Sequence, residues 1–282
     1  MSAYQQRFVK YILLLLFLPL ICLFSCQKKQ EIDLEHRYVI TSPELAEIVS
    51  FLVGTDNIVG VTAECNFPEE LKTITKVGTF GKIDIEKVLA LEPTLVFLAG
   101  LEQEEMAFQL HKIGIPVVKL YPASLADLLQ AVKDIGLILN AEQQAASLLN
   151  TMQQEISTYQ SEPQRHPPRI YVEIYGNPLM SVSDSSYVGE LVELAGADNI
   201  FSSLPRSYSR IKPEKVIQLD PEIILLTYPG VTAEDVKHRM GWEIISACRN
   251  DRIYDVNDVD PDLILRAGPR LGAALKALKD IL

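Results

Sequence analysis

A short stretch of sequence occurs twice in this chain, and this repeat constrains the fold more than any other feature. Residues 83–97 read IDIEKVLALEPTLVF, and residues 211–225 read IKPEKVIQLDPEIIL. The two align without a gap at an offset of 128 residues and share Ile, Glu, Lys, Val, Leu and Pro. The match predicts a duplicated unit, in which Glu86 and Glu214 each lie in the first turn of a short helix before a proline and a buried strand.

The repeat extends beyond this stretch. Each half reads as a strand, a helix, the sequence Gly-x-Asp-Asn-Ile, a loop, the short helix, a strand, another helix and another strand. Gly54 and Gly196 follow the first helix of each half, where a helix C-cap favours glycine. Helices that alternate with short β-branched strands are typical of parallel sheets covered by helices. We therefore predict an α/β fold with two pseudo-repeated lobes, each built on a mainly parallel sheet.

The segment between the two lobes predicts a helical bridge. Ser124 is an expected N-cap, a helix reaches about residue 139, and a second helix runs from 141 to 159 without Gly or Pro. At 1.5 Å per residue this second helix spans roughly 28 Å, which is long enough to join two lobes and limit hinge closure. The predicted organisation is a signal segment at 1–26, a tether at 27–37, an N-terminal lobe at 38–124, an interlobe helical region and connector at 125–168, and a C-terminal lobe at 169–282.

The N-terminus has the pattern of a bacterial export signal. Arg7 and Lys10 precede an almost wholly apolar run at 11–24, which is short for a bilayer span of roughly 20 residues. The run ends in Leu-Phe-Ser-Cys, similar to the bacterial lipobox, in which the cysteine becomes lipidated. We expect Cys26 to carry this anchor, with an uncleaved N-terminal span as the alternative. Either way, the folded part lies outside the cytoplasm.

The composition argues against nucleic-acid binding and against a disulfide framework. The formal net charge is −11, and the body of the chain has no cluster of Lys and Arg for a phosphate backbone. Outside the signal only Cys65 and Cys248 remain, and we interpret them as small buried hydrophobic residues.

Catalytic and metal-binding signatures are missing from the sequence. It has no G-x-S-x-G elbow, no phosphate-binding P-loop, no H-E-x-x-H and no glycine-rich dinucleotide fingerprint. Bare zinc or manganese sites recruit several imidazoles or thiolates, whereas the four histidines are scattered. We therefore expect no catalysis, no cofactor and no resident metal.

Residues that follow the predicted strands are the candidates for ligand binding, because ligands of open parallel sheets bind beyond the carboxyl ends of the strands. Many of them are aromatic, which suits a large and partly flat ligand. The candidates chosen as ligand contacts are Phe67, Phe80, Tyr121, Tyr175, Tyr208, Tyr228 and Arg266. For each aromatic residue, core packing is the alternative. For Arg206, Arg210, Arg266 and Arg270, the alternatives are ion pairs with surface acids or a grip on an anionic group of the ligand.

Taken in order, these motifs resemble a known family. The lipobox, VGVTAECNFPEE, KVGTFGKIDIEKVLALEPTLVF, the long helix and a final R-x-G-P-R are similar to the periplasmic binding proteins for cobalamin and ferric siderophores. The resemblance covers about residues 38–282. It implies two α/β lobes joined by one rigid helix, a ligand held between them, and delivery to an ABC importer.

The resemblance also implies roles for single residues. Glu86 and Glu214 match the glutamates that dock onto arginines of the two permease subunits, although the helix dipole alone would favour an acid in a first turn. Arg266 matches the first arginine of R-x-G-P-R, and Phe80 matches an aromatic residue at the pocket wall. Residues 99–105 contain no tryptophan, and Trp242 lies outside the expected cleft, which departs from the pattern expected for cobalamin.

The sequence therefore predicts a monomeric, lipid-anchored substrate-binding protein that captures cobalamin, a ferric siderophore or haem. Its expected partners are a permease dimer and its ATPase subunits. Two alternatives are a binding protein for bare zinc or manganese and an enzyme on a similar two-lobe fold.

Overall fold

The computed structural model describes residues 36–79, 81–100, 104–160 and 165–282. The predictions for the signal segment, Cys26, most of the tether and Phe80 lie outside these residues. Residues Arg37–Leu282 form one compact unit. Within the described ranges, no helix has the length and apolar character needed to cross a membrane.

The first half of this unit folds around a parallel sheet. Its strands are β1 (Tyr38–Ile40), β2 (Ile58–Val61), β3 (Gly78–Thr79), β4 (Lys82–Ile83), β5 (Leu95–Leu98) and β6 (Val117–Lys119), and its helices are α1 (Pro43–Val53), α2 (Ile85–Ala90) and α3 (Glu104–Lys112). Four strands form the sheet in the order β2-β1-β5-β6, with Val39 of β1 opposite Val96 of β5. The two central strands are almost wholly apolar, because helices cover both faces of a parallel sheet. The short β3 and β4 form a separate antiparallel pair.

Two helices, α4 (Leu125–Ile138) and α5 (Glu142–Tyr159), connect the halves. Ser124 caps α4 by accepting a hydrogen bond from Asp127 N at 3.1 Å, as the sequence predicts. Along α5, Ala145 and Met152 are buried in the core, and Leu148, Leu149 and Ile156 pack against it.

The second half repeats the topology of the first. Its strands are β7 (Arg169–Glu173), β8 (Tyr175–Gly176), β9 (Leu179–Val182), β10 (Asp198–Asn199), β11 (Tyr208–Arg210), β12 (Ile223–Leu226) and β13 (Ile253–Tyr254), and its helices are α6 (Tyr187–Ala195), α7 (Pro213–Leu219), α8 (Ala233–Lys237), α9 (Ser246–Arg249), α10 (Pro261–Leu265) and α11 (Leu271–Ile281). The parallel sheet has the order β10-β7-β12-β13, which is the order of the first sheet. The predicted fold of two repeated α/β lobes is confirmed.

The helix ends follow local sequence signals. Ser42 and Ser186 cap α1 and α6, the first helices of the two lobes, and each accepts a backbone hydrogen bond from the residue three positions later. Gly54 and Gly196 end the same helices with φ of 77° and 89°, a region that disfavours residues with a Cβ.

The largest hydrophobic core is shared by the two lobes. It contains side chains from β1 and β7, the central strands of the two sheets, and from helices α1, α4, α5, α6 and α11. Helix α5 packs on α1 and α4 on one side and on α6 and α11 on the other. Smaller clusters fill the opposite face of each sheet. One face of the bridge therefore packs on the shared core, which ties the lobes together.

Two details differ from the sequence prediction. The second lobe contains an additional antiparallel sheet, β11-β9-β8, next to its parallel sheet. The sequence pattern predicts a helix over residues 233–240, whereas the helix ends at Lys237 and Arg239 leaves the helical path to bind Glu173.

Candidate functional site

An ion-paired clasp connects the two lobes beside the carboxyl end of β1. Glu47 on α1 is 1% exposed, and two arginines of the second lobe converge on it. Arg270 donates from Nε and Nη2 at 2.8 and 2.7 Å, and Arg266 donates from Nη1 at 3.1 Å. A buried carboxylate needs such compensation, because the loss of its hydration costs several kcal/mol.

The clasp continues along the loop after β2. Arg266 also donates to Asn66 Oδ1 at 2.8 Å and to the backbone oxygen of Glu64 at 3.0 Å, and it pairs with Asp262 at 2.7 Å. Asn66 in turn donates to Asp262 at 3.0 Å. The guanidinium of Arg270 lies 4.4 Å from the ring centre of Phe67, which forms a cation–π contact between the lobes. Arg266 thus has polar partners from both lobes.

A group of polar aromatic residues lies next to this clasp. Tyr121 follows β6 of the first lobe and is 51% exposed, whereas Tyr208 lies on β11 of the second lobe and is half-buried. Burial, together with the nearby Tyr121 and Glu44, raises the pKa of Tyr208 to about 12. Tyr208 is therefore a neutral phenol at physiological pH. Burial likewise raises the pKa of Glu44 above its ordinary value.

A second buried carboxylate organises the carboxyl end of the second sheet. Glu173 ends β7 with no exposed surface and accepts two hydrogen bonds from Arg239, at 2.6 and 2.7 Å. The hydroxyls of Tyr171 and Tyr228 donate to the same carboxylate. Burial and the neighbouring Glu173 charge raise the pKa of Tyr228 well above its usual range, so this phenol also stays neutral.

An aromatic pair at this edge joins Tyr175 of the β8–β9 hairpin to Tyr228, which follows β12. The rings of Tyr175 and Tyr228 lie 6.1 Å apart with a tilted geometry, and Tyr175 is 52% exposed. Gly176 allows this packing, because a Cβ at that position would lie 2.3 Å from the hydroxyl of Tyr228. Tyr175 therefore presents an exposed ring next to the ring of Tyr228, whose hydroxyl is hydrogen-bonded to Glu173.

The two repeated glutamates lie on helices α2 and α7, which carry none of these groups. Glu86 and Glu214 occupy the first turns of α2 and α7, as predicted, and both are exposed. Asp84 caps α2 by accepting from the backbone N–H groups of Glu86 and Lys87, whereas Lys212 at the N-cap of α7 provides no side-chain cap. Nothing in either helix requires the glutamate for capping.

The predicted ligand contacts fall into three groups. Tyr121 and Tyr208 come together from opposite lobes, and Tyr175 and Tyr228 come together within the second lobe. Phe67 and Arg266 lie at the interlobe clasp. Phe80 is outside the described residues. Their roles in ligand binding remain predictions.

Four charged residues of this region are not recognised from the sequence alone: Glu44, Glu47, Glu173 and Arg239. Glu47 lies opposite the apolar stripe of α1, so the pattern predicts an exposed side chain. Glu173 is the last residue of a mostly apolar strand. An acid at the end of such a strand is the one sequence signal that indicates this residue. Arg239 belongs to a predicted helix that ends earlier than expected.

The remaining candidate ligands for metals do not assemble. The four histidines, His36, His111, His166 and His238, are exposed. Cys65 and Cys248 are free and buried, in agreement with their interpretation as small core residues. Among the described residues, no group of three or more His, Cys, Asp or Glu side chains has an arrangement suited to a metal ion.

Comparisons with known proteins agree with this architecture. The chain is 28% identical to the uncharacterized ABC transporter substrate-binding lipoprotein YvrC of Bacillus subtilis, over 86% of this chain and 79% of that protein. It is 25% identical to the vitamin B12-binding protein of Pectobacterium atrosepticum, over 83% and 84%. The structure superposes on the periplasmic heme-binding protein RhuT of Roseiflexus sp. RS-1 with a TM-score of 0.78, 23% identity and coverage of 87% and 98%.

A model of one protein family extends over most of the chain. The family is described as periplasmic binding protein, and its model matches residues 39–259. This range runs from β1 to the loop that precedes α10, so it includes both parallel sheets and the helices that join them. With its two repeated α/β lobes and a clasp between them, this chain belongs to the periplasmic binding protein family.

Proposed function

We propose that this protein is the substrate-binding component of an ABC importer, that it captures a metal chelate between its lobes, and that a corrinoid such as cobalamin is its cargo. One observation carries the choice of cargo. Arg239, Arg266 and Arg270 are each bound to a buried carboxylate, Glu173 or Glu47. Two aromatic rings near these ion pairs, those of Tyr121 and Tyr175, remain exposed.

The charge of the cargo follows from this pairing. A tricatecholate ferric siderophore carries several negative charges and requires cations that are not already neutralised. Haem carries two propionates, which also require unpaired cations, but fewer of them. A corrinoid is a broad macrocycle edged with neutral amides, and it suits aromatic faces and phenol hydroxyls. The relatives include both a vitamin B12-binding protein and a heme uptake protein of Staphylococcus aureus at 25% identity, so they support a macrocyclic chelate, and the pairing of the arginines alone carries the choice of a corrinoid.

A competition among chelates tests the cargo. The compact unit, residues 37–282, is titrated with cyanocobalamin, haemin, a ferric tricatecholate and a ferric hydroxamate while its fluorescence is followed. We expect cyanocobalamin to bind with a Kd near or below 1 µM, about −8 kcal/mol. Because each ring contributes about 0.5–1.5 kcal/mol, Tyr121→Ala and Tyr175→Ala weaken binding by about twofold to tenfold. The exposed Phe108→Ala on α3 serves as the control.

Tighter binding of the tricatecholate than of cyanocobalamin would contradict the charge argument. Tighter binding of haemin would replace the corrinoid with an iron porphyrin and leave the importer function intact. Retention of zinc or manganese through dialysis would instead favour a bare-metal binding protein.

We also propose that Glu86 and Glu214 dock onto the permease. Both are exposed in equivalent helical turns, and two like charges on pseudo-equivalent lobes fit a partner with two subunits. The helix dipole accounts for an acid in one first turn, but it does not account for recurrence at the same position.

The docking proposal predicts that Glu86→Ala and Glu214→Ala together abolish transport while the Kd for the cargo stays within about twofold of wild type. Uptake into proteoliposomes and chelate titration measure the two properties separately. Loss of chelate affinity together with transport would place the glutamates in the ligand site.

Membrane attachment and lack of catalysis complete the proposal. The lipobox supports lipidation of Cys26, and labelled palmitate should enter the wild-type chain but not Cys26→Ser. Membership of a family of transport proteins supports a role without catalysis. Recovery of a chemically unchanged chelate after release from the protein checks this.

A further inference from the structure

A cavity in the second lobe is lined in part by helix α7, which carries Glu214. Its volume is about 470 Å³, and it lies between the loop that precedes β11 and helix α7. The lining residues are Ile200, Phe201, Ser203, Leu204, Pro205, Arg210, Ile211, Lys212, Lys215 and Leu219. The lining is apolar apart from Ser203 and three cations, Arg210, Lys212 and Lys215, which are exposed. We call this feature the basic cavity.

The cations of the basic cavity are not neutralised by neighbouring acids. The ammonium of Lys215 donates to the neutral Gln218 at 3.1 Å. Within the described part of the chain, no carboxylate pairs with Arg210, Lys212 or Lys215. Such a patch is unusual in a protein with a net charge of −11, because an average region of its surface is acidic.

The sequence repeat shows that the first lobe lacks this surplus. At the offset of 128 residues, Lys82, Asp84 and Lys87 correspond to Arg210, Lys212 and Lys215. Asp84 of the first lobe lies 3.8 Å from the ammonium of Lys87. When Glu86 is added to the three residues of the first lobe, the net charge of the four is zero. When Glu214 is added to those of the second lobe, the net charge is +2.

We propose that the basic cavity is a second docking element, specific to the second lobe, which receives a permease segment bearing a carboxylate next to an apolar side chain. The proposal rests on the permease docking of Glu214 given above and adds to it the chemistry of the partner. The cations would hold the carboxylate, and the apolar lining would receive the neighbouring side chain. Because the equivalent residues of the first lobe carry no surplus of positive charge, the two ends of the protein are not interchangeable on the importer.

The test measures docking of the full lipid-anchored chain to its permease–ATPase complex in nanodiscs, at several salt concentrations. Arg210→Gln, Lys212→Gln and Lys215→Gln are combined in one variant. The matched control in the first lobe combines Lys82→Gln and Lys87→Gln. We expect the second-lobe variant to weaken docking at least about tenfold with a flatter salt dependence, and the control to weaken it less than about threefold. The Kd for the chelate reports on correct folding.

A separate variant examines the apolar part of the element. Ser203 is exposed at the cavity, so Ser203→Trp fills the opening without changing any charge. We expect this variant also to weaken docking, by about tenfold, because it excludes the apolar side chain of the partner.

Several outcomes would overturn the inference. Equal losses of docking affinity in the second-lobe variant and the first-lobe control would show that the effect of the charges is non-specific. Binding of the protein to anionic nanodiscs without the permease would show that the basic cavity binds a lipid surface instead of a protein. If Glu214→Ala weakens docking and the triple variant does not, only the basic cavity is refuted. If the triple variant weakens docking and both glutamate variants leave it unchanged, the glutamate proposal fails instead.

Discussion

At the scale of single residues, Glu47 links the lobes, because one side chain of the first lobe binds two arginines of the second. Its carboxylate is buried, and three of its hydrogen bonds come from Arg266 and Arg270 of the opposite lobe. The arginines are themselves only 10% and 15% exposed at their side chains. Removal of the acid would leave two guanidinium groups without their main partner in a poorly hydrated place.

Glu47→Ala should therefore lower the free energy of unfolding by about 3–5 kcal/mol. Chemical denaturation measures this loss. The control is Asp280→Ala, which breaks the exposed Lys276–Asp280 pair on α11 and should cost only about 0–1 kcal/mol. Equal effects of the two substitutions would mean that the clasp contributes no more than a surface ion pair.

Glu44 predicts a pH dependence of stability. Burial raises its pKa in the folded state, and hydrogen bonding to Ser42 and the charge of Arg266 oppose this only in part. The folded chain therefore holds this proton more tightly than the unfolded chain, so the ionised carboxyl destabilises the fold at neutral pH. This penalty disappears as the pH falls through the folded pKa towards the ordinary value.

Glu44→Gln should accordingly stabilise the protein at neutral pH, and the gain should shrink as the pH is lowered. Denaturation of wild type and variant across this pH range measures the difference. The exposed Glu70→Gln should show no such trend. A gain that is the same at every pH would show that ionisation of Glu44 is not its cause.

At the scale of elements, the sequence predicts the parts whose signals are local or repeated. Ser124 and Gly196 mark helix ends correctly, and the repeat around Glu86 and Glu214 predicts two sheets of equal topology. The sequence does not predict the antiparallel β11-β9-β8 sheet, because β8 has only two residues and β9 pairs with β11 across the intervening helix α6.

The candidate site could be predicted only in part, because its main contacts join distant segments. From the sequence of its helix, Glu47 resembles a solvent-facing residue. It is buried because Arg266 and Arg270, more than two hundred residues later in the chain, pack against it. Tyr121 and Tyr228 follow strands β6 and β12, as the strand-end rule expects, whereas Tyr208 begins β11, and their contacts with a ligand stay predictions. No local pattern indicates that Arg266 and Arg270 share one carboxylate.

At the scale of the whole molecule, two features restrain movement between the lobes. One face of helix α5 packs on a core that both lobes share, and the Glu47 clasp adds charged contacts beside the carboxyl ends of the strands. Wide closure would break both, and a repacked core is costly. Ligand capture should therefore involve side chains and small rotations of the lobes.

Small-angle X-ray scattering of the free and cargo-bound protein measures this directly. We expect the radius of gyration to change by less than about 1 Å, in line with other preorganised binding proteins. Glu47→Gln keeps α5 and the shared core but weakens the clasp, so a larger change in this variant would assign part of the restraint to the ion pairs. An unchanged result in Glu47→Gln would assign it to α5 and the core alone, and a large contraction of the wild-type protein would refute the restraint altogether.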